Sequence, residues 1–189
     1  MGVRSEITLR LGVGSDAEAI AELTVRSWRF AYRGVLPPAV LEGMAVGSRV
    51  ARWRVRLEEP DARWCVVVAE EAGEVTGFAW FGVGSAHPLR PSTEDVGEIY
   101  AFYLDPSRFG SGLADTLAER TEGWLSARFE RSILWVLEGN DRARRFYTRR
   151  GWLADGARTP YPKPGCPGVH IVRHSWSPEV ADARRKPGV

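Results

Sequence analysis

The stretch from Val96 to Trp124 constrains this chain most. It reads Val-Gly-Glu-Ile-Tyr-Ala-Phe-Tyr-Leu, then Asp105-Pro106, then Ser-Arg-Phe-Gly-Ser-Gly-Leu-Ala, with Leu113, Leu117, Trp124 and Leu125 recurring at helical spacing. The order is strand, glycine turn, helix. Gly110 and Gly112 remove side chains that would keep a ligand from the backbone, and the first turn of a helix leaves N–H groups unpaired with a partial positive charge. Such a turn suits a pyrophosphate, and equally a tight connection that binds nothing. No Lys-Ser/Thr follows the glycines, which counts against a nucleotide-binding P-loop.

Around that stretch the chain alternates strand-like and helix-like patterns. Ile7, Leu9 and Leu11 alternate with polar residues as a half-buried strand, and after Gly14, Ser15 can cap a helix with Ile20, Leu23, Trp28 and Ala31 on one face. Pro37-Pro38 permits a new helix start. Val50, Trp53 and Leu57 mark another helical face, ending near Pro60. Trp64 to Glu70 and Val75 to Val83 are β-rich and joined by Glu71-Ala72-Gly73-Glu74, so they predict an antiparallel hairpin. A polar loop, Gly84 to Asp95, leads into the central stretch. Beyond it, Ser132 to Leu137 reads as a buried strand, and Asn140 caps a short helix signed at its end by Arg149, Arg150 and Gly151. The basic face of that helix reads by default as solvated. Trp152-Leu153 opens a strand, Ala157 to Gly168 reads as a Pro/Gly loop, and Val169 to Trp176 as a last strand.

With 189 residues and 44% hydrophobic content, the chain can bury a full core as one domain, taken as residues 1–176, with 177–189 as a flexible tail. No apolar run reaches membrane-spanning length and no signal-peptide pattern opens the chain, so a cytoplasmic protein without a membrane partner is expected. Glu6 stands where a myristoylation motif needs Ser or Thr. Cys65 and Cys166 lack partners at metal-ligand spacing, so neither a disulfide framework nor a metal is expected. A net charge of +2 with scattered arginines does not mark a nucleic-acid binder.

The glycine turn, together with Asn140 and Tyr147 seven residues on, resembles the GNAT superfamily of acyl-CoA-dependent N-acetyltransferases. The resemblance spans about Ile7 to Trp176. It is carried best by Glu98 to Leu117 and Leu134 to Trp152. The family's signature, Gln/Arg-x-x-Gly-x-Gly/Ala, falls on Phe109, Gly112 and Ala114, with an aromatic where Gln or Arg is usual and Arg108 just before it. The resemblance implies an α/β (α+β) fold: a mixed, mostly antiparallel sheet of about seven strands, splayed between strands 4 and 5 and flanked by helices.

It further implies acetyl-CoA as cosubstrate, without a metal. Its pyrophosphate would sit on the backbone of Gly110, Ser111, Gly112, Leu113 and Ala114 with Arg108 beside it, and its pantetheine against Phe102, Tyr103, Leu104, Asn140 and Ala143. Glu98 is then the candidate base. A lysine-like amine near pKa ~10.4 is only about a thousandth free base at neutral pH, and an ordinary Glu near ~4.3 accepts its proton at a cost of roughly 8 kcal/mol. Glu98 therefore needs burial or an ordered water. Tyr147 is the candidate partner of the departing sulfur, by hydrogen bond or by proton. Without the resemblance, Glu98 reads as an ion-paired strand carboxylate, Tyr147 as a packing aromatic and Asn140 as a helix cap.

The acceptor, a small-molecule or peptide amine, is less legible. The resemblance points to Trp28 and Tyr32, and more loosely to Glu42, His87, Tyr161 and His170. The opening helix looks like that of many small bacterial members, and a homodimer is an expectation of the family. Direct attack is expected, because neither cysteine has a sequence-local activating base. The rival reading is a non-catalytic acyl-CoA sensor on the same fold.

Overall fold

The computed structural model describes residues 6–59, 61–86 and 95–179. Its elements in chain order are β1 (Ile7–Leu11), α1 (Ala17–Ala31), α2 (Pro38–Glu42), α3 (Gly47–Glu58), β2 (Trp64–Glu71), β3 (Glu74–Val83), β4 (Gly97–Leu104), α4 (Leu113–Ser126), β5 (Ser132–Leu137), α5 (Asp141–Arg149), β6 (Leu153–Pro160) and β7 (His170–Trp176). The strands form one sheet in the order β1-β2-β3-β4-β5-β7-β6. Every pairing is antiparallel except β4 with β5. The expected mixed, mostly antiparallel seven-stranded sheet is thus present.

Strand β4 organises the site because its two edges differ. On one edge it pairs with β3 along nearly its whole length, from Val83↔Gly97 to Gly77↔Leu104. On the other it meets β5 only at Gly97↔Ser132, Glu98↔Ile133 and Ile99↔Leu134, and then the strands part. The register with β3 shifts between Trp80 and Phe81, so Phe81 opposes Ile99 while Trp80 opposes Ala101. Tyr100 is the extra residue. A bulge of this kind bends a strand and increases its twist, which carries β4 away from β5. It also sorts the side chains: Ile99 and Phe102 pack with Leu117, Leu125, Tyr147 and Trp152, whereas Tyr100, Ala101 and Tyr103 pack with Ile20, Leu23, Trp53 and Phe78.

Local sequence explains most elements. The β2–β3 turn places Ala72 at φ 53° and Gly73 at φ 81°, the paired positive dihedrals of a type I′ hairpin. Asn140 caps α5, its Oδ1 accepting from the Ala143 N–H at 3.2 Å, and Gly151 at φ 89° ends it. The eight tryptophans go largely to the core, with Trp152 completely buried and Trp53, Trp80 and Trp176 nearly so.

Two local expectations fail. Ser15 does not cap α1: a 3-10 turn, Gly14–Asp16, precedes the helix, and the Asp16 carboxylate accepts from the Val13 N–H at 2.8 Å. Arg10 holds that carboxylate at 2.7 Å, an ionic bond that Ser15 cannot match. The loop expected from Ala157 is strand as far as Pro160, because β7 lies alongside and pairs Arg158↔Val172, Thr159↔Ile171 and Pro160↔His170. Strand β6 is the sheet edge, where proline is tolerated, and Gly156 at φ 88° marks its irregularity. Pro60 and most of the 177–189 tail lie outside the described residues. Among those described, no helix is long and apolar enough to cross a membrane.

Candidate active site

Where β4 and β5 part, a cavity of about 750 Å³ opens between the β4 edge, the β5 residues Leu134 to Val136, the glycine turn and α5. Its β4 wall runs from Ile99 to Leu104. That edge has lost its neighbouring strand from Tyr100 onward, so an extended ligand can pair with its backbone as an added strand does.

At one end the wall is backbone. Phe109, Gly110, Gly112 and Ala114 line it. The N–H groups of Phe109, Ser111 and Leu113 are used, accepted by Pro106 O, Arg108 O and Ser111 Oγ respectively. Those of Gly110, Gly112 and Ala114 have no acceptor among the described residues. The alternation leaves three donors on the cavity side, at the start of α4. Gly110 at φ 82° and Gly112 at φ 89° hold the left-handed conformation this needs, and a Cβ at either would enter open space. Unpaired donors converging at a helix start favour an anion.

Helix α5 adds charge to that end. Arg142, Arg145 and Arg149 all line the cavity, and none forms an ion pair among the described residues. Arg142 lies with Cζ 3.7 Å from the centroid of the Phe109 ring, which also packs edge-on against Phe30 at 5.4 Å. Arg144 turns elsewhere, its Nη1 donating to Glu138 O at 3.1 Å. Arg150, at the end of α5, is neutralised: Nη2 meets Glu122 at 2.7 Å and Nη1 meets Asp115 at 3.0 Å. Glu122 also accepts from Trp152 Nε1 at 3.0 Å. This cluster ties the end of α5 to α4 and so fixes Tyr147, which packs between Phe102, Phe146 and Trp152.

Tyr147 lines the cavity, and burial holds its phenol well above the usual range, with the neighbouring Tyr103 adding to the rise. It stays protonated and can donate. Tyr32 lines the same cavity, is hydrogen-bonded to Tyr103, and is likewise raised chiefly by burial. Glu98 is fully buried at the closed end of the split, where β4 still pairs with β5, and is not part of the cavity wall. The next wall residue but one, Tyr100, donates its hydroxyl hydrogen to Val83 O; burial first, then the Glu98 carboxylate, raises its pKa.

The structure brings together Phe102, Tyr103, Leu104, Phe109, Gly110, Gly112, Ala114, Asn140, Ala143, Tyr147 and Tyr32 in one wall. It separates others. Arg108 turns to the β2–β3 hairpin, where Nε lies 3.1 Å from Glu71 Oε2, because a nearby carboxylate outcompetes an open cavity. Leu113 is completely buried in the core beside Ala69 and Leu104, and Ser111 spends its hydroxyl on the turn itself, donating to Arg108 O at 2.7 Å. Trp28 lies one ring behind the wall, 6.3 Å from Tyr103. Glu42 is exposed on α2, Tyr161 packs in the cluster around Leu36 and Ile171, and His170 Nδ1 lies 3.0 Å from Gly168 O. His87 lies outside the described residues. Arg142, Arg145 and Arg149 join this wall although the sequence marks only a basic run, because which members face the cavity depends on how α5 is docked.

The family model described as Acetyltransferase (GNAT) family matches residues 19–152. The chain is 33% identical over 137 residues to the uncharacterized N-acetyltransferase YuaI of Bacillus subtilis, covering 71% of this chain and 73% of that one. It is 40% identical over 152 residues to a mycothiol acetyltransferase of Amycolatopsis mediterranei, covering 79% of this chain but 47% of that protein, about half its length. Among solved structures, a GCN5-related N-acetyltransferase of Rhodopseudomonas palustris superposes with TM-score 0.70 at 21% identity, covering 94% of this chain and 99% of that one. The PaiA N-acetyltransferase of Thermoplasma acidophilum in complex with coenzyme A gives 0.67 at 16% identity, covering 90% and 99%.

Proposed function

The chain belongs to the GNAT acetyltransferase family and is an acyltransferase, and from that premise we propose that it moves an acetyl group from acetyl-CoA to a primary amine by direct attack. The observation that carries the reading is the set of three unpaired donors at Gly110, Gly112 and Ala114 in the wall of the cleft left by β4 and β5. They suit a pyrophosphate. Arg142, laid over Phe109, supplies in space the charged contact that the residue at 109 lacks in sequence, and Arg145 and Arg149 extend the positive rim. The β4 edge from Phe102 to Leu104 suits an amide-bearing arm, with Asn140 and Ala143 opposite.

Acetyl-CoA supplies the thioester. The amine nitrogen bonds to its carbonyl carbon, the carbon–sulfur bond breaks, and the sulfur leaves with the electron pair while the amine loses a proton. Glu98 takes that proton through ordered water, since it lies behind the wall. Tyr147 stabilises the departing sulfur with a hydrogen bond. An ordinary phenol would lose a proton to a thiolate at a cost of about 2 kcal/mol, and burial of Tyr147 makes the transfer costlier still.

Glu98 behind the wall is also the observation that favours the rival, a non-catalytic acyl-CoA sensor. Calorimetric titration with acetyl-CoA and with ATP tests the ligand class, and binding of ATP alone would remove both readings. Release of CoA across a panel of amino acids, peptides, aminoglycosides and polyamines tests turnover. Tyr147→Phe is expected to lower kcat by about 10- to 100-fold while leaving acetyl-CoA binding intact; full kcat at every pH would take Tyr147 out of the mechanism.

A further inference from the structure

A second concentration of positive charge lies on the acceptor side, outside the acyl-CoA cavity. Arg49 comes from the first turn of α3 and Lys163 from the loop between β6 and β7, and both converge on the indole of Trp28 in α1. Arg49 Cζ is 5.5 Å and Lys163 Nζ 4.8 Å from the ring centroid. The two cations border one hollow of about 350 Å³, together with Val40, Gly43 and Ser48. Neither forms an ion pair with a carboxylate among the described residues. Both are half-buried, and their surroundings oppose their charge: burial first, then Arg52, lowers Arg49, and burial first, then Arg49, lowers Lys163. Trp28 Nε1 is itself buried with no acceptor among the described residues. Two positive charges without a carboxylate partner are therefore gathered at one hollow where water is partly excluded, an arrangement that an anion would relieve.

Its location ties it to the acceptor. The Trp28 ring lies 5.1 Å from Tyr32 and 6.3 Å from Tyr103, and both tyrosines are in the wall of the main cavity. A group seated on Arg49 and Lys163 is thus one aromatic layer from that cavity.

We propose that the acceptor is a small amine carrying an oxyanion, a carboxylate or a phosphate-like group, which Arg49 and Lys163, braced on the Trp28 ring, hold at this hollow. This rests on the acetyl-transfer reading for the identity of the reacting amine, and the anion site itself does not. A polyamine would meet like charge here.

Matched pairs test it: alanine against alaninamide, and 3-aminopropylphosphonate against 3-aminopropanol, with diaminobutane as the cationic control, each followed by CoA release. The oxyanion-bearing member of each pair is expected to show a kcat/KM at least about ten-fold higher. The alaninamide amine is the less basic and more often free, so that pair is biased against the proposal. Arg49→Gln and Lys163→Gln are each expected to raise KM for the anionic member and to narrow the gap. Equal or better turnover of the amide, the alcohol or diaminobutane overturns the proposal and leaves acetyl transfer standing. If the protein binds acetyl-CoA yet acetylates none of these amines, titration of the Trp28 indole N–H resonance with succinate and with inorganic phosphate decides. A saturable shift lost in the Arg49→Gln/Lys163→Gln variant sustains the anion site, the more effective anion naming its class, and no shift in the wild-type protein refutes it.

Discussion

Helix α5 and its last cap carry arginines of two kinds, and the contrast explains how one short helix both holds the fold and lines the cavity. Arg150 is spent on the protein: its side chain is 9% exposed and Glu122 opposite it is 6% exposed. Arg142, Arg145 and Arg149 are exposed on the cavity side and have no carboxylate among the described residues. Asp115 belongs to both regions. It lines the cavity at the start of α4, where its charge would oppose an anion, and Arg150 occupies it at 3.0 Å. The neutralised cluster thus keeps negative charge from the place where the unpaired arginines gather. What separates the two kinds is not residue type but whether a carboxylate is within reach once α4 and α5 are docked.

The contrast breaks most visibly at Glu122. Glu122→Ala leaves Arg150 and the Trp152 N–H without their main partner, and removing one member of a buried pair costs about 3–5 kcal/mol. A fall in Tm on the order of 10 °C is expected by calorimetry; a fall no larger than that of Arg142→Gln would mean the two arginine classes do not differ. Next comes Gly112→Ala, which forces an L side chain to φ 89° at about 1–2 kcal/mol of strain and puts a Cβ where the anion would sit. Acetyl-CoA affinity should drop at least about ten-fold, a loss of about 1.4 kcal/mol that the strain, borne alike by free and bound protein, does not itself produce. Arg142→Gln is expected to weaken acetyl-CoA by about 1–2 kcal/mol, less at high salt, while stability stays within about 0.5 kcal/mol of wild type. Titration calorimetry and thermal unfolding of the same sample measure both.

The smallest effect concerns Arg144, the member that faces inward. Burial first, and then the Arg144 charge, lower the His174 pKa, against an opposing pull from Asp155. His174 is 2% exposed. The unfolded chain therefore gains a proton near the ordinary value of about 6.5, which the folded chain refuses until the pH is lower. Stability from this group is full above about pH 6.5 and declines as the pH falls towards the folded value, by at most about 1.4 kcal/mol per pH step. His174→Gln should flatten the acid limb of a plot of unfolding free energy against pH, and an unchanged limb would assign it to other groups.

The parts of the site legible in sequence are those made by neighbours along the chain. The glycine turn, the Asn140 cap, the Gly151 stop and the β2–β3 hairpin each depend on dihedrals that a few adjacent residues impose. The orientation of Arg108 and the cap of α1 are not legible along the chain, for the same reason in reverse. Their competitors, Glu71 and Arg10 with Asp16, act through contacts that adjacency alone does not reveal, Glu71 from another element altogether.

The strand, turn and helix around Gly110 and Gly112 are written in the adjacent residues themselves, because positive φ and helix initiation are properties of the local backbone. That β4 leaves β5 after Ile99, that Arg142 lies over Phe109 while Arg150 is buried against Glu122, and that Arg49 and Lys163 meet at Trp28 follow from the assembled fold. Each of these joins elements far apart in the chain, and the energy of a charge depends on what the fold brings within a few ångströms of it.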